Sequence, residues 1–165
     1  MPNTYTQLCI QLVFAVKGRQ SLVKESFRDE LEKYICGTIR EKKHKPLAIY
    51  CMPDHTHILV GLNPSEAIST LVQQVKANSS GFINERKLVQ HRFNWQEGYG
   101  AFSYARSQVD AVVKYISNQP EHHRKKTFQE EYLQFLDKFE IDYRPEYLFE
   151  WIEPDNPTPT INPIH

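Results

Sequence analysis

The sequence predicts an α+β fold, in which an antiparallel sheet carries helices on one face and further helices follow near the C-terminus. Short apolar segments rich in β-branched residues alternate with segments whose apolar residues recur every three or four positions. Of the 165 residues, 40% are hydrophobic and 24% are charged, which is ordinary for one globular domain with its own core. We predict one domain over residues 1–152 and an irregular, proline-rich tail over residues 153–165.

The elements follow in the order strand, helix, strand, strand, helix, strand. The predicted strands cover residues 5–17, 47–52, 55–62 and 100–106, and the predicted helices cover 23–43 and 63 to about 82. Only Pro53 and Asp54 separate the second and third strands, which predicts an antiparallel hairpin. This order is that of the ferredoxin-like (split βαβ, RRM-like) fold. We expect the second face of its sheet to stay free for a substrate.

Three helix starts are predicted from capping patterns. Asn63 to Glu66 and Ser107 to Asp110 each have the form of a capping box, and Thr127 to Glu130 begins a last helix that runs to about Phe139. Pro120 is expected to end the helix that starts near residue 107, because a residue before proline is disfavoured in the helical region. Residues 84–99 are predicted to form a loop.

Four residues carry the candidate chemistry. In an extended strand the side-chain period is two, so His55 and His57 face the same way, roughly 7 Å apart, and Thr56 faces away. Two histidines can bind a metal, but a catalytic site usually takes three protein ligands. Tyr115 and Gln119 are four positions apart on a predicted helix, so the phenol and the amide oxygen can reach one centre.

The sequence also predicts the cellular location of the protein and the redox state of its cysteines. No apolar run approaches the ~20 residues of a membrane span, and the N-terminus lacks the basic start and apolar block of a signal peptide, so we expect a cytoplasmic protein. Cys9, Cys36 and Cys51 are odd in number and form no C-x-x-C motif. We therefore predict reduced thiols rather than disulfides or zinc ligands.

Charge is distributed unevenly along the chain. Residues 1–126 carry 18 Lys and Arg against 11 Asp and Glu, whereas residues 127–165 carry 2 against 9. Basic residues suited to neutralise the phosphates of a nucleic acid are Lys76, Arg86, Lys87, Arg92, Arg124, Lys125 and Lys126. A solvated helix surface would have the same composition, so this interpretation stays open.

Three ordered segments resemble the single-tyrosine transposases of the HUH endonuclease superfamily, which include small insertion-sequence transposases and REP-associated tyrosine transposases. The segments are Met-Pro-Asp-His-Thr-His-Ile-Leu-Val at 52–60, Trp-Gln-Glu-Gly-Tyr-Gly-Ala-Phe-Ser at 95–103 and Tyr-Ile-Ser-Asn-Gln-Pro-Glu-His-His at 115–123. The resemblance covers most of residues 5–150. Thr56 departs from it, since the superfamily motif has a bulky hydrophobic residue there; we expect this to affect packing rather than metal binding.

The resemblance implies a metal-dependent endonuclease and strand transferase that acts on single-stranded DNA with hairpin ends. Carried over by motif, His55, His57 and Gln119 bind a divalent Mg²⁺ or Mn²⁺ ion, and Tyr115 attacks the phosphate to form a 5′-phosphotyrosine. The family also implies a homodimer whose sites combine the histidine pair of one subunit with the tyrosine helix of the other. Imidazole suits manganese and later transition metals better than magnesium, so the identity of the ion stays open.

Alternatives remain at the level of sequence. A non-catalytic nucleic-acid module of the RNA-recognition type fits the same order of elements, although its usual aromatic stacking pair is missing. A hydrolase of small phosphoesters fits the ligands but leaves Tyr115 and the basic clusters unexplained. Glu121, His122 and His123 form another candidate ligand group, but we expect positions after Pro120 to diverge into a solvated turn or a DNA contact.

Overall fold

A computed structural model describes residues 3–148, apart from the side chain of Arg19. The tail predicted over 153–165 and the domain end predicted at residue 152 lie outside these residues. The described strands and α-helices are β1 Cys9–Ala15, α1 Glu25–Glu41, β2 Lys45–Cys51, β3 His55–Gly61, α2 Ile68–Glu85, β4 Gly100–Tyr104, α3 Val109–Ser117, α4 Gln119–Lys125 and α5 Phe128–Lys138.

The four strands form one antiparallel sheet in the order β2-β3-β1-β4. This is the ferredoxin-like order, so the predicted fold class and the hairpin between β2 and β3 are confirmed. In the central strand β3, His57 lies opposite Val13 of β1 and Tyr50 of β2. The histidine pair is therefore held by backbone pairing on both sides.

Two hydrophobic cores lie on the two faces of the sheet. Helices α1 and α2 pack on one face, where Leu12 and Phe14 belong to the core. On the other face, Val13 and Leu59 pack with α3 and α5. The expectation that this second face stays free is wrong, because the apolar stripes of α3 and α5 are buried against it.

Two of the predicted helix starts are displaced. The Asn63 side chain accepts a hydrogen bond from the Ser65 backbone, while Glu66 pairs with Lys42, and α2 begins only at Ile68. Before α3, a short 3-10 segment covers Arg106–Gln108. At the first place the Asn63 side chain satisfies a turn, and at the second the Gln108 amide oxygen accepts from the Ala105 N–H at 2.9 Å, so no side chain caps α2 or α3.

The start of α5 is as predicted. The Thr127 hydroxyl accepts a hydrogen bond from the Glu130 backbone N–H at 3.2 Å, and the helix begins at Phe128. This cap fixes the residue at which α5 begins.

All three cysteines are free thiols, as predicted, and Cys9 and Cys51 are buried. Within residues 3–148, no helix combines the length and the apolar character needed to cross a lipid bilayer.

Gly100 lies where the sheet and α5 approach closely. A methyl group there would lie 2.9 Å from the Phe102 ring and 2.9 Å from the Tyr132 hydroxyl. We expect Gly100→Ala to lower the free energy of unfolding by about 1–3 kcal/mol, measured by urea denaturation. Gly81→Ala is the matched control: nothing lies within 4 Å of the added methyl, and helix propensity predicts a gain of about 0.5–1 kcal/mol. Equal effects of the two substitutions would contradict this packing.

Candidate metal and nucleophile site

His55 and His57 are fully buried on β3, with ring centroids 5.2 Å apart. Each ring is oriented through its outer nitrogen: Nδ1 of His55 lies 2.7 Å from Asp54 Oδ1, and Nδ1 of His57 lies 2.8 Å from Gln11 Oε1. A carboxylate only accepts, so the His55 Nδ1–H donates to Asp54. Both Nε2 atoms consequently face the interior of the site, the arrangement that positions metal-binding histidines.

Burial also sets the protonation of His55. Desolvation lowers the pKa of His55 to about 4, although the hydrogen bond to Asp54 acts in the opposite direction. The imidazole is therefore neutral near pH 7. Its Nε2 carries a lone pair, as a metal ligand requires.

Tyr115 and Gln119 lie beside this pair within the same chain. The Tyr115 ring centroid is 6.1 Å from that of His57, and Gln119 Oε1 is 3.5 Å from His55 Nε2. The prediction that one helix carries both residues is wrong. Helix α3 ends at Ser117, and Gln119 begins α4, with Pro120 in its first turn, where a missing backbone N–H is tolerated.

His123 also faces the site, although the sequence favoured a solvated turn or a DNA contact for this residue over a ligand role. The solvated turn predicted after Pro120 is wrong, because these residues form α4. Residues four positions apart in a helix share a face, so His123 lies next to Gln119, with Nε2 3.0 Å from the amide oxygen. Reading Pro120 as a helix start would have predicted this neighbour.

Glu131 also belongs to the site, and it is not among the candidate residues named from the sequence. It comes from α5 and is 2% exposed. Its Oε1 lies 2.8, 3.3 and 3.8 Å from the Nε2 atoms of His57, His123 and His55. Its Oε2 accepts hydrogen bonds from the Tyr115 hydroxyl and, at 3.2 Å, from the Gln119 amide. The available signal was an acidic residue within the buried apolar stripe of α5.

The charge of Glu131 acts on the nucleophile candidate. Burial opposes ionisation of Glu131, but attraction to His57 and hydrogen bonds from His123 and His57 hold the pKa of this carboxyl well below its usual range. Burial and the neighbouring Glu131 charge raise the pKa of the Tyr115 phenol. In this arrangement Tyr115 is a protonated donor to an ionised carboxylate.

The donor atoms suit a divalent metal. Ligand atoms of His55, His57, His123 and Glu131 all lie within 4.8 Å of one another. Nitrogen donors with a carboxylate oxygen are a common ligand set for zinc and other first-row transition metals. The residues present therefore fit a metal centre.

Aromatic rings pack around this group. Phe128 stacks on His55 with centroids 4.0 Å apart, and His122 stacks on Tyr115 at 4.3 Å. A cavity of about 470 Å³ adjoins the site, lined by Tyr115, Glu131 and residues of β4, α3 and α5. A reacting group has space to approach the Tyr115 hydroxyl from this side.

The predicted basic residues fall on both sides of the sheet. The Lys76 amine donates to the backbone oxygens of Gln96 and Gly98 at 2.7 and 2.6 Å, so it anchors the loop before β4. Arg86 pairs with Glu30 on the α1 side. Lys87 and Arg92 are exposed at the end of α2 and in the following loop.

The second basic group lies on α4 and in the residue that follows it, immediately after His123. Arg124 pairs with Glu121 in the same helix, and Lys126 donates to Gln134. Lys125 is exposed. Of the two basic groups, this one is contiguous with the histidine cluster.

The ferredoxin-like sheet carries a buried histidine and glutamate cluster beside a tyrosine, and sequence comparison gives the family. Residues 4–119 match the family model described as "Transposase IS200 like", so the chain belongs to the IS200-like transposase family. A relative is the ISDra2 transposase TnpA of Deinococcus radiodurans, 24% identical over 118 residues that cover 68% of this chain and 84% of the relative.

Two solved structures share the fold. One is a candidate transposase from Deinococcus radiodurans, with a TM-score of 0.57 and 23% identity, covering 71% of this chain and 94% of the other. The other is a REP-associated tyrosine transposase bound to a REP hairpin, with a TM-score of 0.55 and 16% identity, covering 73% and 72% of the two chains.

His123 and Glu131 lie beyond the segment that matches the family model.

Proposed function

We propose that this protein cleaves and rejoins single-stranded DNA with hairpin ends through a 5′-phosphotyrosine on Tyr115. In this proposal His55, His57 and Gln119 hold a divalent Mg²⁺ or Mn²⁺ ion. The observation that carries it is the position of the Tyr115 ring, 6.1 Å from the ring of buried His57, in an IS200-like transposase. The hairpin bound to the REP-associated transposase of similar fold supports the choice of substrate.

The reaction is a transfer of a phosphoryl group to the phenol and back. The Tyr115 oxygen attacks phosphorus, the bond from phosphorus to the 3′ oxygen breaks, and the products are a 5′-phosphotyrosine and a free 3′-hydroxyl. The phenolic proton passes to the Glu131 carboxylate, which accepts its hydrogen bond, and the departing 3′ oxygen takes a proton from water. Attack by another 3′-hydroxyl on the phosphotyrosine rejoins DNA without ATP.

Activation of the phenol is the main energetic requirement. A phenol with a pKa near 10 is only about 0.1% ionised at pH 7, a deficit of about 4 kcal/mol. Burial and the Glu131 charge raise the pKa of Tyr115 further, so the reactive arrangement has to offset that charge. A bound divalent ion supplies positive charge against the phosphate oxygens.

Covalent trapping tests this function. The full chain is incubated with Mn²⁺ and 5′- or 3′-labelled single strands that carry a hairpin, and denaturing gels show whether a protein–DNA adduct forms. The proposal predicts that the adduct contains the 3′ label, because the phosphotyrosine joins the protein to the fragment downstream of the cut. The adduct is expected to be lost in EDTA. Binding of single strands that is equal with and without EDTA, with no cleavage, would instead favour the non-catalytic nucleic-acid module.

The sheet face argues against that module. Nucleic-acid modules of the RNA-recognition type stack bases on an open sheet. Here α3 and α5 cover the face that carries Leu59 and Phe102. An open stacking surface is therefore missing from that face in the described part of the chain.

The proposal also includes a homodimer, as the family resemblance implies, but with each active site formed within one chain instead of shared between the two subunits. Within one chain, Tyr115 already lies beside its own His57. We therefore expect a mixture of His57→Ala and Tyr115→Phe proteins to form less than about a tenth of the wild-type adduct, since neither chain then holds a complete site. Recovery of the adduct on mixing would show that two subunits combine their residues.

The basic group on α4 is proposed to contact DNA phosphates. We expect Lys125→Ala to weaken binding of all single strands alike and to reduce the slope of log affinity against log salt by about 0.7, the value for one phosphate contact. Fluorescence anisotropy across a salt series measures this slope. Lys33→Ala, an exposed lysine on α1, is the control and should leave the slope unchanged. Equal slopes for Lys125→Ala and wild type would show that Lys125 does not contact a DNA phosphate.

A further inference from the structure

We propose that His123 and Glu131 join His55 and His57 in a four-ligand site that binds a zinc-class ion, Zn²⁺ or Co²⁺, in the DNA-free protein. The inference rests on the proposed function, because the same two histidines serve both states of the site. It adds two ligands from helices that follow residue 119, where the match to the family model ends. It also replaces the neutral ligand Gln119 by a set that includes the negatively charged Glu131 carboxylate.

The separations of the histidine nitrogens from Glu131 Oε1 are close to those of tetrahedral coordination. Bonds of about 2.0–2.1 Å to zinc place tetrahedral ligand atoms about 3.3–3.4 Å apart. The distances from Glu131 Oε1 to the Nε2 atoms of His57, His123 and His55 are 2.8, 3.3 and 3.8 Å, which lie on both sides of that value. All four ligand atoms lie within 4.8 Å of one another, so forming the coordination sphere requires side-chain movements of at most about 1.5 Å between any two of them.

Neighbouring side chains hold the two histidine ligands in position. The Nδ1 atoms of His55 and His57 are held by Asp54 and Gln11 at 2.7 and 2.8 Å. Phe128 stacks on the His55 ring. Such partners on the far side of a ligand orient it, and losing them typically costs ten- to a hundredfold in metal affinity.

The ligand set determines which ion is preferred. Magnesium favours six oxygen ligands in octahedral geometry, whereas three imidazoles and one carboxylate suit zinc or cobalt. The Glu131 charge also reduces the net charge of a divalent site from two to one. A DNA phosphate would have to compete with this carboxylate for the metal.

Glu131 also connects this site to Tyr115. Its Oε1 faces the three imidazoles, while its Oε2 accepts the hydrogen bond from the Tyr115 hydroxyl. One carboxylate thus closes the metal site and holds the phenol in its protonated form. The DNA-free protein would be a closed state of the transposase.

Metal binding by the full chain, stripped of metal and free of DNA, tests the inference. Competition with a chromophoric chelator gives the Zn²⁺ affinity, and visible absorption of bound Co²⁺ reports coordination number. We expect one ion per chain, four-coordinate Co²⁺, and at least tenfold weaker Zn²⁺ binding in both Glu131→Gln and His123→Gln. The matched controls are Glu130→Gln, an exposed neighbour on α5, and His91→Gln, an exposed loop histidine.

The outcomes separate this inference from the proposed function. Zn²⁺ binding that is equally tight in wild type and in both variants, or six-coordinate Co²⁺ in wild type, would overturn the four-ligand site. Far-UV circular dichroism of the apo proteins separates lost folding from a lost ligand, and the second variant carries the test if the first does not fold. A wild-type protein that forms the DNA adduct but does not bind Zn²⁺ through four ligands would overturn this inference and leave the proposed function intact. A protein that binds Zn²⁺ as expected but forms no adduct would overturn only the proposed function.

Discussion

Replacing Tyr115 by phenylalanine is expected to reduce the covalent DNA adduct at least about a thousandfold, to background, because the ring remains and only the attacking oxygen is lost. The ring contacts with His122 and Phe135 do not need the hydroxyl, so the fold should persist. Labelled single strands in Mn²⁺ and a denaturing gel measure the adduct. A Tyr115→Phe protein that still forms it would refute the nucleophile assignment.

A second tyrosine controls for a general effect of the substitution. Tyr34 lies on α1, on the opposite side of the sheet from the site, and is 40% exposed. Tyr34→Phe should form the adduct at the wild-type rate. Loss of the adduct in both variants would indicate damage to the fold rather than removal of a nucleophile.

His57→Ala is expected to destabilise the metal-free protein by about 3–5 kcal/mol, because it leaves the buried Glu131 carboxylate without a principal partner. Of the three Nε2 atoms that face Glu131 Oε1, that of His57 is the nearest, at 2.8 Å. Urea denaturation in EDTA at pH 7 measures the free energy of unfolding.

The same substitution in a Glu131→Gln background isolates the pair. There we expect His57→Ala to cost about 1–3 kcal/mol less than in the wild-type background, since no buried charge is left uncompensated. Equal costs in the two backgrounds would mean that His57 and Glu131 are not coupled. The double-mutant cycle needs no DNA and no metal.

Local patterns predicted most of the sheet and its neighbours. The alternation around His55 and His57 placed both rings on one face, and the Thr127 cap fixed the start of α5. These features depend on side-chain direction and on one hydrogen bond between neighbours in sequence. They can therefore be predicted from the sequence without a structure.

The parts that failed depend on contacts between distant elements. Pro120 is compatible with a helix end and with a helix start. The contacts of Gln119 and His123 with His55 on β3 decide between them, and they join residues that are distant in sequence. Glu131 reads as a solvated charge until the face of α5 that meets the sheet is known. The covered sheet face follows from the same packing.

The most direct measurement is mass spectrometry of the adduct after nuclease and trypsin digestion. Trypsin cleaves after Lys114 and Arg124, and the resulting peptide, residues 115–124, contains one tyrosine. The account predicts that this peptide carries a nucleotide through its 5′-phosphate, on Tyr115. A nucleotide attached to any other residue, or cleaved DNA with no modified peptide, would contradict it.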